Sequence, residues 1–280
     1  MDLTLPAPPA PTCDGRIDPK VHTALATETI YGPVPSRRYG NTLGLNLLPS
    51  AHKRCTLRCT YCQLGPEGKA ETPYPTVAQF EGELRGALEY LNAHGDFRGM
   101  VLHGLVLSGN GETTMHPELG AAIDVLLRLR AELAPGVPTI LLTGGTELGR
   151  PEVRAAVARL DEVAVKLDAG TQKTFERLNM PITPITIRSI AEAAALLPNA
   201  VVQTLLVHGS VDNTVASEID PWLELVRIAR PKRVDLYTLA RPPIEKKLRS
   251  VPAPVLEAIA QRVRQELSIP CRVFAEGLND

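Results

Sequence analysis

The sequence predicts an α/β fold built on a parallel β-sheet. Apolar, β-branched segments alternate along the chain with segments whose apolar residues recur at helical spacing, which is the pattern of βαβ units. A chain of 280 residues that is 44% hydrophobic can also bury a large core. The pattern alone does not distinguish a complete or partial barrel from an open, doubly wound sheet.

The first strand–helix units are predicted between residues 42 and 134. TLGLNLL (42–48) is almost continuously apolar, as expected of a strand buried on both faces. The segment 75–93 has apolar residues at helical spacing and opens with a proline, which suits a first helical turn. GLVLSG (104–109) is the second predicted strand, and 117–134 is a helix that again begins at a proline.

The same alternation continues to the end of the chain. PTILLTGG (138–145) and EVAVKLDAG (162–170) are predicted strands because they are rich in apolar residues and end in glycine-containing turns. Further strands are predicted at 200–209, 233–240 and 270–275. The remaining predicted helices are 150–160, 171–178, 184–197, 217–230 and 252–267.

The N-terminal residues differ from the rest in composition. Residues 1–28 are rich in proline and alanine and lack a period, so we expect a tail or strap before one domain at 29–280. YGPVPSRRYGN (31–41) is predicted to be a turn-rich connection. Cys13 is predicted to have no role, and Cys271 to be a core residue of the last strand.

The composition excludes several classes of protein. The net charge of −1, from 30 Lys+Arg and 31 Asp+Glu, gives no overall attraction to nucleic acid. An odd number of cysteines, 5 in all, argues against a disulfide scaffold. The chain shows neither a secretory signal pattern nor a stretch of about 18 apolar residues. We therefore expect a cytoplasmic protein that does not enter a membrane.

Four distinctive loops follow successive predicted strands. They are the cysteine-rich segment after 42–48, SGNGETT (108–114), TGG (143–145) and DAG (168–170). Because the carboxyl ends of parallel strands share one edge of the sheet, these loops are predicted to form an active site together.

The cysteine segment, KRCTLRCTYCQLG (53–65), holds Cys55, Cys59 and Cys62. Thiolate sulfur is a soft ligand that suits zinc or an iron–sulfur cluster. Both usually take four ligands, so three cysteines leave one metal position open. The histidines that would complete a zinc site are His52, His103 and His116.

The spacing C-x3-C-x2-C, with Tyr61 just before the last cysteine, resembles the signature of the radical S-adenosylmethionine (SAM) superfamily. The resemblance implies that the three cysteines hold a [4Fe-4S] cluster whose open iron binds SAM. It implies reductive cleavage of SAM to a 5′-deoxyadenosyl radical that abstracts hydrogen from a substrate. It also implies a low-potential electron donor, flavodoxin or ferredoxin, and a partial TIM-type (β/α)6 barrel with an N-terminal strap.

A second motif, SGNGETTMHPEL (108–119), is similar to the Gly-Gly-Glu turn that binds the SAM amino group in that superfamily. Glycines allow close backbone approach, and Glu112 would accept from the ammonium. The match departs from the superfamily by Asn110 between the glycines and by Thr113 in place of proline. The cofactor-binding residues that the resemblance implies are Tyr61, Ser108, Gly109, Asn110, Gly111, Glu112, Lys166 and Gln203.

Several longer stretches resemble a subgroup related to wyosine-base-forming tRNA enzymes. They are YGPVPSRRYGNTLGLNLLP, KLDAGTQKTFERLN and VDLYTLARPP, and the resemblance spans about residues 30–275. It makes tRNA modification an alternative function. Archaeal members bind a second cluster through extra N-terminal cysteines, and with only Cys13 in that region no second cluster is expected here.

Polar residues at the ends of later strands are predicted to act on the substrate. Lys166 interrupts an apolar strand, so it either pairs with an acid or points into the site. The predicted catalytic residues are Lys166, Asp168, Tyr237 and Arg241.

Three further polar residues have two interpretations each. Gln203 contacts SAM or substrate, or is a buried hydrogen-bonded side chain. Arg37 and Arg38 hold an anionic substrate bidentately, or tie the strap to the barrel.

The predicted function is a radical SAM enzyme acting on an unidentified small-molecule or macromolecular substrate. The alternatives are a wyosine-type tRNA-modifying enzyme and a non-catalytic zinc-binding protein.

Overall fold

The computed structural model describes residues 25–26, 28–64, 72–94 and 101–275, so the predicted tail lies almost entirely outside the described residues. The strands are β1 (Ile30–Ser36), β2 (Gly40–Leu45), β3 (Gly104–Leu107), β4 (Thr139–Thr143), β5 (Glu162–Lys166), β6 (Ala200–Leu205), β7 (His208–Gly209), β8 (Val234–Tyr237), β9 (Leu248–Arg249) and β10 (Cys271–Phe274). The helices are α1 (Val77–Ala93), α2 (Leu119–Leu133), α3 (Pro151–Val157), α4 (Gln172–Leu178), α5 (Ile187–Ala194), α6 (Ala216–Ala229) and α7 (Ala253–Leu267).

The main sheet has eight strands in the order β1-β2-β3-β4-β5-β6-β8-β10. Neighbouring strands from β2 onward are parallel, whereas β1 pairs antiparallel with β2. Strands β7 and β9 form a small separate sheet. The main sheet curls into half of a barrel. The predicted α/β, partial TIM-type barrel is therefore confirmed.

The outward faces of the strands pack against the helices in an aliphatic core. Helix α1 buries Phe80, Leu84 and Leu88, which recur at helical spacing. Its first turn is capped by the Thr76 side chain, which accepts from the Gln79 N–H. None of the described helices is long and apolar enough to cross a membrane.

Residues 31–41, expected to be a turn-rich connection, instead form most of a β-hairpin. Strand β1 pairs with β2 from Ile30 opposite Leu45 to Ser36 opposite Gly40. The prolines of β1 concealed this strand in the sequence, but proline is tolerated at a sheet edge because one side of an edge strand needs no N–H donors.

The hairpin reaches across the half-barrel to strands β5 and β6. Tyr31 packs on Gly44. The Tyr39 hydroxyl donates to Glu162 Oε1 at 2.6 Å and accepts from Gln203 Nε2 at 2.8 Å. The hairpin thus contacts strands on the far side of the sheet.

The contact between Tyr31 and Gly44 predicts non-additive effects on stability. A Cβ at Gly44 would lie 2.1 Å from Cζ of Tyr31, so the ring must move when alanine is introduced. We expect Gly44→Ala to lower the free energy of unfolding by about 1–3 kcal/mol. In a Tyr31→Ala background the same change should cost little, because the ring is gone. Urea denaturation of the four proteins measures both costs, and equal costs in the two backgrounds would contradict this packing.

Candidate active site

The cysteine segment lies at the carboxyl ends of the strands, held by backbone pairing on both sides. The Arg54 N–H donates to Asn110 O at 2.8 Å, and Arg54 O accepts from the Glu112 N–H at 2.8 Å. On the other side, the Thr60 N–H donates to Leu178 O at 2.9 Å. The segment is therefore fixed between the glycine turn after β3 and the end of α4.

The three thiols of the segment are free, with Cys59 buried and Cys55 and Cys62 half-buried. The Cys59 sulfur accepts from Asn179 Nδ2 at 3.5 Å. Burial, followed by the charge of Glu112, raises the pKa of Cys55 to about 12. Burial also raises the pKa of Cys59. Metal binding would therefore have to displace protons from these thiols.

The donors of the segment fit an iron–sulfur cluster by their chemistry. Three soft thiols lie in one loop that carries no carboxylate, which is a set that favours iron–sulfur clusters over hard cations. Within the described ranges, no three Cys, His, Asp or Glu side chains converge closely enough to hold a metal ion, so the thiols must turn toward each other on binding. The histidines considered for zinc contact other groups: His52, His103 and His116 lie within hydrogen-bond distance of Thr72, Asn41 and Pro75, respectively.

The turn after β3 requires glycine at two positions. Gly109 has a φ of 155° and Gly111 a φ of 141°. A Cβ at Gly111 would lie 1.8 Å from Arg54 O, and one at Gly109 would lie 2.3 Å from Asn46 Oδ1. Gly111 therefore lets the turn lie directly against the cysteine segment, and Gly109 lets it lie against Asn46.

Glu112 is buried, and its carboxylate joins the loops after β3 and β4. Oε1 accepts from the N–H and the hydroxyl of Thr114 and from the Thr143 hydroxyl, at 3.2, 2.5 and 2.7 Å. Oε2 accepts from the Gly144 N–H at 2.6 Å. Burial raises the pKa of Glu112, although these hydrogen bonds act to lower it.

Ser108 and Asn110 contact the N-terminal residues. The buried Asn110 amide accepts from the Ala26 N–H at 2.7 Å and donates to Ala26 O at 2.9 Å. The Ser108 hydroxyl lies 3.0 Å from that of Tyr31. Asn110 thus holds the segment before β1 against the turn, and Ser108 contacts the hairpin. The contact of both residues with SAM stays a prediction.

A buried hydrogen-bond network beside the cysteine segment centres on Asp168. Its Oδ2 accepts from the Tyr61 hydroxyl at 2.5 Å and from Asn179 Nδ2 at 2.8 Å, and lies 3.3 Å from Lys166 Nζ. Burial and the charge of Asp168 raise the pKa of Tyr61, so its hydroxyl stays protonated. Burial lowers the pKa of Lys166, but the charge of Asp168 and the contact with Tyr237 together outweigh burial, and the net shift is upward. Lys166 is therefore an ammonium ion.

Tyr237 joins this network from β8. Its hydroxyl accepts from Lys166 Nζ at 2.5 Å, and the Arg38 guanidinium lies over its ring, with Cζ 4.5 Å from the centroid. Arg241 lies beyond the end of β8, with Nη1 3.4 Å from Gln63 Oε1. The structure thus brings Tyr237 and Lys166 together and places Arg241 against the cysteine segment.

Other candidates have structural contacts. Gln203 is 2% exposed and donates to Tyr39, as in the second of its predicted interpretations. Arg37 donates to Thr238 O at 3.3 Å and so ties the hairpin to the end of β8. Cys271 is buried in the core, as predicted.

Asn179 is the site residue that the sequence analysis missed. Its Nδ2 lies 3.5 Å from the Cys59 sulfur, 3.0 Å from the Tyr61 hydroxyl and 2.8 Å from Asp168 Oδ2. Asparagine just after a helix gives only a capping signal in a sequence. Its role here depends on how α4 packs against the cysteine segment.

Comparison with known sequences finds relatives of similar length and one much longer protein. A UPF0026 protein of Helicobacter pylori is 30% identical over 257 residues, which cover 89% of this chain and 74% of the relative. A UPF0026 protein of Synechocystis is 29% identical and is covered to 78%. A Brachyspira hyodysenteriae protein named GTPase Obg is 28% identical, but this chain spans only 31% of its length. No protein-family model matches the chain.

Comparison with solved structures finds the same half-barrel. A radical SAM methyltransferase from Sphaerobacter thermophilus superposes with a TM-score of 0.56 at 15% identity, over 84% of this chain and 67% of that one. SuiB of Streptococcus suis bound to S-adenosylmethionine superposes with a TM-score of 0.57 at 14% identity, over 84% of this chain and 52% of that one. TYW1 with a lysine–pyruvate adduct superposes with a TM-score of 0.57 at 15% identity, over 81% of this chain and 75% of that one. At such low identity these likenesses establish the fold.

The contacts of Glu112 predict different costs for two substitutions. Glu112→Ala leaves the buried donors of Thr143 and Gly144 without an acceptor, so we expect the free energy of unfolding to fall by about 3–5 kcal/mol. Glu112→Gln keeps one acceptor oxygen and should cost about 1 kcal/mol. Urea denaturation at neutral pH gives both values. If alanine cost no more than glutamine, the carboxylate would not be the group that holds the turn.

Proposed function

This chain belongs to the UPF0026 protein family, and from that membership and its fold we propose that it is a radical SAM enzyme. The observation that carries the proposal is the backbone pairing of Arg54 with Asn110 and Glu112. It brings three thiols beside the glycine turn that we propose binds SAM, at the carboxyl ends of a parallel half-barrel, where such folds carry their active sites.

Cys55, Cys59 and Cys62 would hold a 4Fe-4S cluster, and their number leaves one iron for SAM. When bound, the cluster supplies the electron that cleaves SAM to methionine and a 5′-deoxyadenosyl radical. The chain's own contribution is to bind, orient and shield. Asn179 fixes Cys59 by donating to its sulfur, and hydrogen bonds of this kind tune the potential of iron–sulfur clusters.

The glycine turn is proposed to bind the amino group of SAM. Oε1 of Glu112 accepts three hydrogen bonds from the protein, whereas Oε2 accepts one and keeps a free lone pair. An ammonium group is a suitable donor for that lone pair. Tyr61, Ser108 and Asn110 would support this turn and the cysteine segment.

Lys166, Asp168, Tyr237 and Arg241 are proposed to face the substrate. Asp168 keeps Lys166 charged, and Lys166 holds the Tyr237 hydroxyl in place. Gln203 would contribute to the same side of the site indirectly, by holding Tyr39 through a hydrogen bond. We propose a cytoplasmic enzyme that takes its electron from a low-potential flavodoxin or ferredoxin.

Wyosine-type modification of tRNA is the second candidate, and the fold likeness to TYW1 favours it. A lysine–pyruvate adduct like the one in that structure requires a neutral amine. Lys166 pairs with Asp168 at 3.3 Å and donates to Tyr237, so it would have to give up a proton before it could form such an adduct. The net charge of −1 also provides no general attraction to tRNA.

The proposal predicts SAM cleavage that depends on the segment's cysteines. After anaerobic reconstitution with iron and sulfide, the protein should form 5′-deoxyadenosine from SAM and dithionite. Cys59→Ala should lower the yield at least about 100-fold, because loss of a ligand removes the cluster. Cys271→Ala is the matched control and should keep the yield, since Cys271 lies in the core beside α7.

Two results would contradict the proposal. One is a colourless protein that retains only zinc after reconstitution and forms no 5′-deoxyadenosine. The other is an equal loss of yield in Cys59→Ala and Cys271→Ala, which would mean that the loss does not arise from the cysteine segment.

A further inference from the structure

Unlike Lys166 and Arg233, Arg38 has no carboxylate partner among the residues that the structure describes. Lys166 lies 3.3 Å from Asp168, and Arg233 lies 2.8 Å from Asp235. Arg38 is half-buried and forms no ion pair within the part of the chain that the structure describes. A half-buried charge without a counter-charge is unfavourable, so this position favours an incoming anion.

The side chain of Tyr237 contacts both Arg38 and Lys166. The Arg38 Cζ lies 4.5 Å from the ring centroid, and Lys166 Nζ lies 5.0 Å from it. Because Nζ is also 2.5 Å from the hydroxyl oxygen, Lys166 lies beyond the hydroxyl end of the ring and Arg38 lies over its face. Stacking of this kind leaves the N–H edge of a guanidinium free for a planar, bidentate partner.

Lys166 has a donor left for the same partner. An ammonium group has three N–H donors, and the Tyr237 hydroxyl and Asp168 take two of them. Its Nζ is also 5.0 Å from the centroid of Tyr61 in the cysteine segment. A group bound by both cations would therefore lie next to that segment.

We propose that Arg38 and Lys166, held by Tyr237, bind an oxyanion of the substrate, a carboxylate or a phosphate. This inference rests on the proposed function, because it assumes that the site binds a substrate. It restricts that substrate to compounds that carry an anionic group. Anchoring of the hairpin does not require Arg38, because Arg37 supplies a tie to Thr238 O.

Protection of Arg38 from phenylglyoxal tests the site in the reconstituted protein without SAM or reductant. Modification is followed by peptide mass mapping in chloride, inorganic phosphate and succinate at equal ionic strength. With a Kd on the order of 1 mM, about 10 mM phosphate or succinate should slow modification of Arg38 about tenfold relative to chloride. Arg188, which is exposed on α5, serves as the internal reference and should react at one rate in all three salts.

The outcomes separate the possibilities. Protection by phosphate alone or by succinate alone supports the site and identifies the class of oxyanion, and protection by both supports an oxyanion site in general. Equal rates for Arg38 in all three salts, or equal slowing of Arg38 and Arg188, would overturn the proposal. This central comparison uses the unmodified chain, so it does not depend on a variant that folds.

Two variants with the same loss of charge extend the test. Lys166→Gln should abolish the protection of Arg38, whereas Lys173→Gln, at an exposed position of α4, should keep it. Full protection in Lys166→Gln would contradict a site made of two cations. If the anions protect Arg38 but the protein forms no 5′-deoxyadenosine, the anion site stands and the proposed function is rejected. If the protein forms 5′-deoxyadenosine but the anions do not protect Arg38, the proposed function stands and the anion site is rejected.

Discussion

The architecture of the site depends on two backbone hydrogen bonds between Arg54 and the glycine turn. They require Gly111, because any Cβ there would overlap Arg54 O. Through this contact, a loop that follows β2 and a turn that follows β3 become one unit. The parallel sheet brings the loops to the same edge, and the glycine allows them to touch. The proposed cluster and the proposed SAM site are adjacent for this reason.

Two buried carboxylates extend this unit across the end of the half-barrel. Glu112 receives four neutral donors and connects the glycine turn to the loop after β4. Asp168 accepts hydrogen bonds from Tyr61, Asn179 and the Leu205 N–H, and also forms an ion pair with Lys166. Buried carboxylates are tolerated only when hydrogen bonds or ion pairs compensate for the water they have lost, so the loops that supply these donors have little freedom to move apart. The rigid arrangement suits the proposed radical chemistry, which must be kept away from water.

The sequence predicted the features that depend on local pattern. Strand–helix alternation predicted the parallel sheet, and the resemblance to radical SAM enzymes predicted that the sheet forms a partial barrel. The spacing of Cys55, Cys59 and Cys62 identified the loop that carries the proposed chemistry. The hairpin was missed because the prolines of β1 argue locally against a strand, whereas the sheet edge accepts them. Asn179 was missed because its signal is that of a helix cap. Its contacts with Cys59 and Asp168 arise only when α4 packs beside the cysteine segment, and no periodicity reports such packing.

The central claim is that the cysteine segment would hold a cluster with one iron left for SAM. The most direct measurement is Mössbauer spectroscopy of the anaerobic protein reconstituted with iron-57, with and without SAM. The account predicts that SAM changes the parameters of one iron site while the remaining sites keep theirs, since three cysteines ligate the others. An iron–sulfur spectrum that SAM leaves unchanged would contradict it.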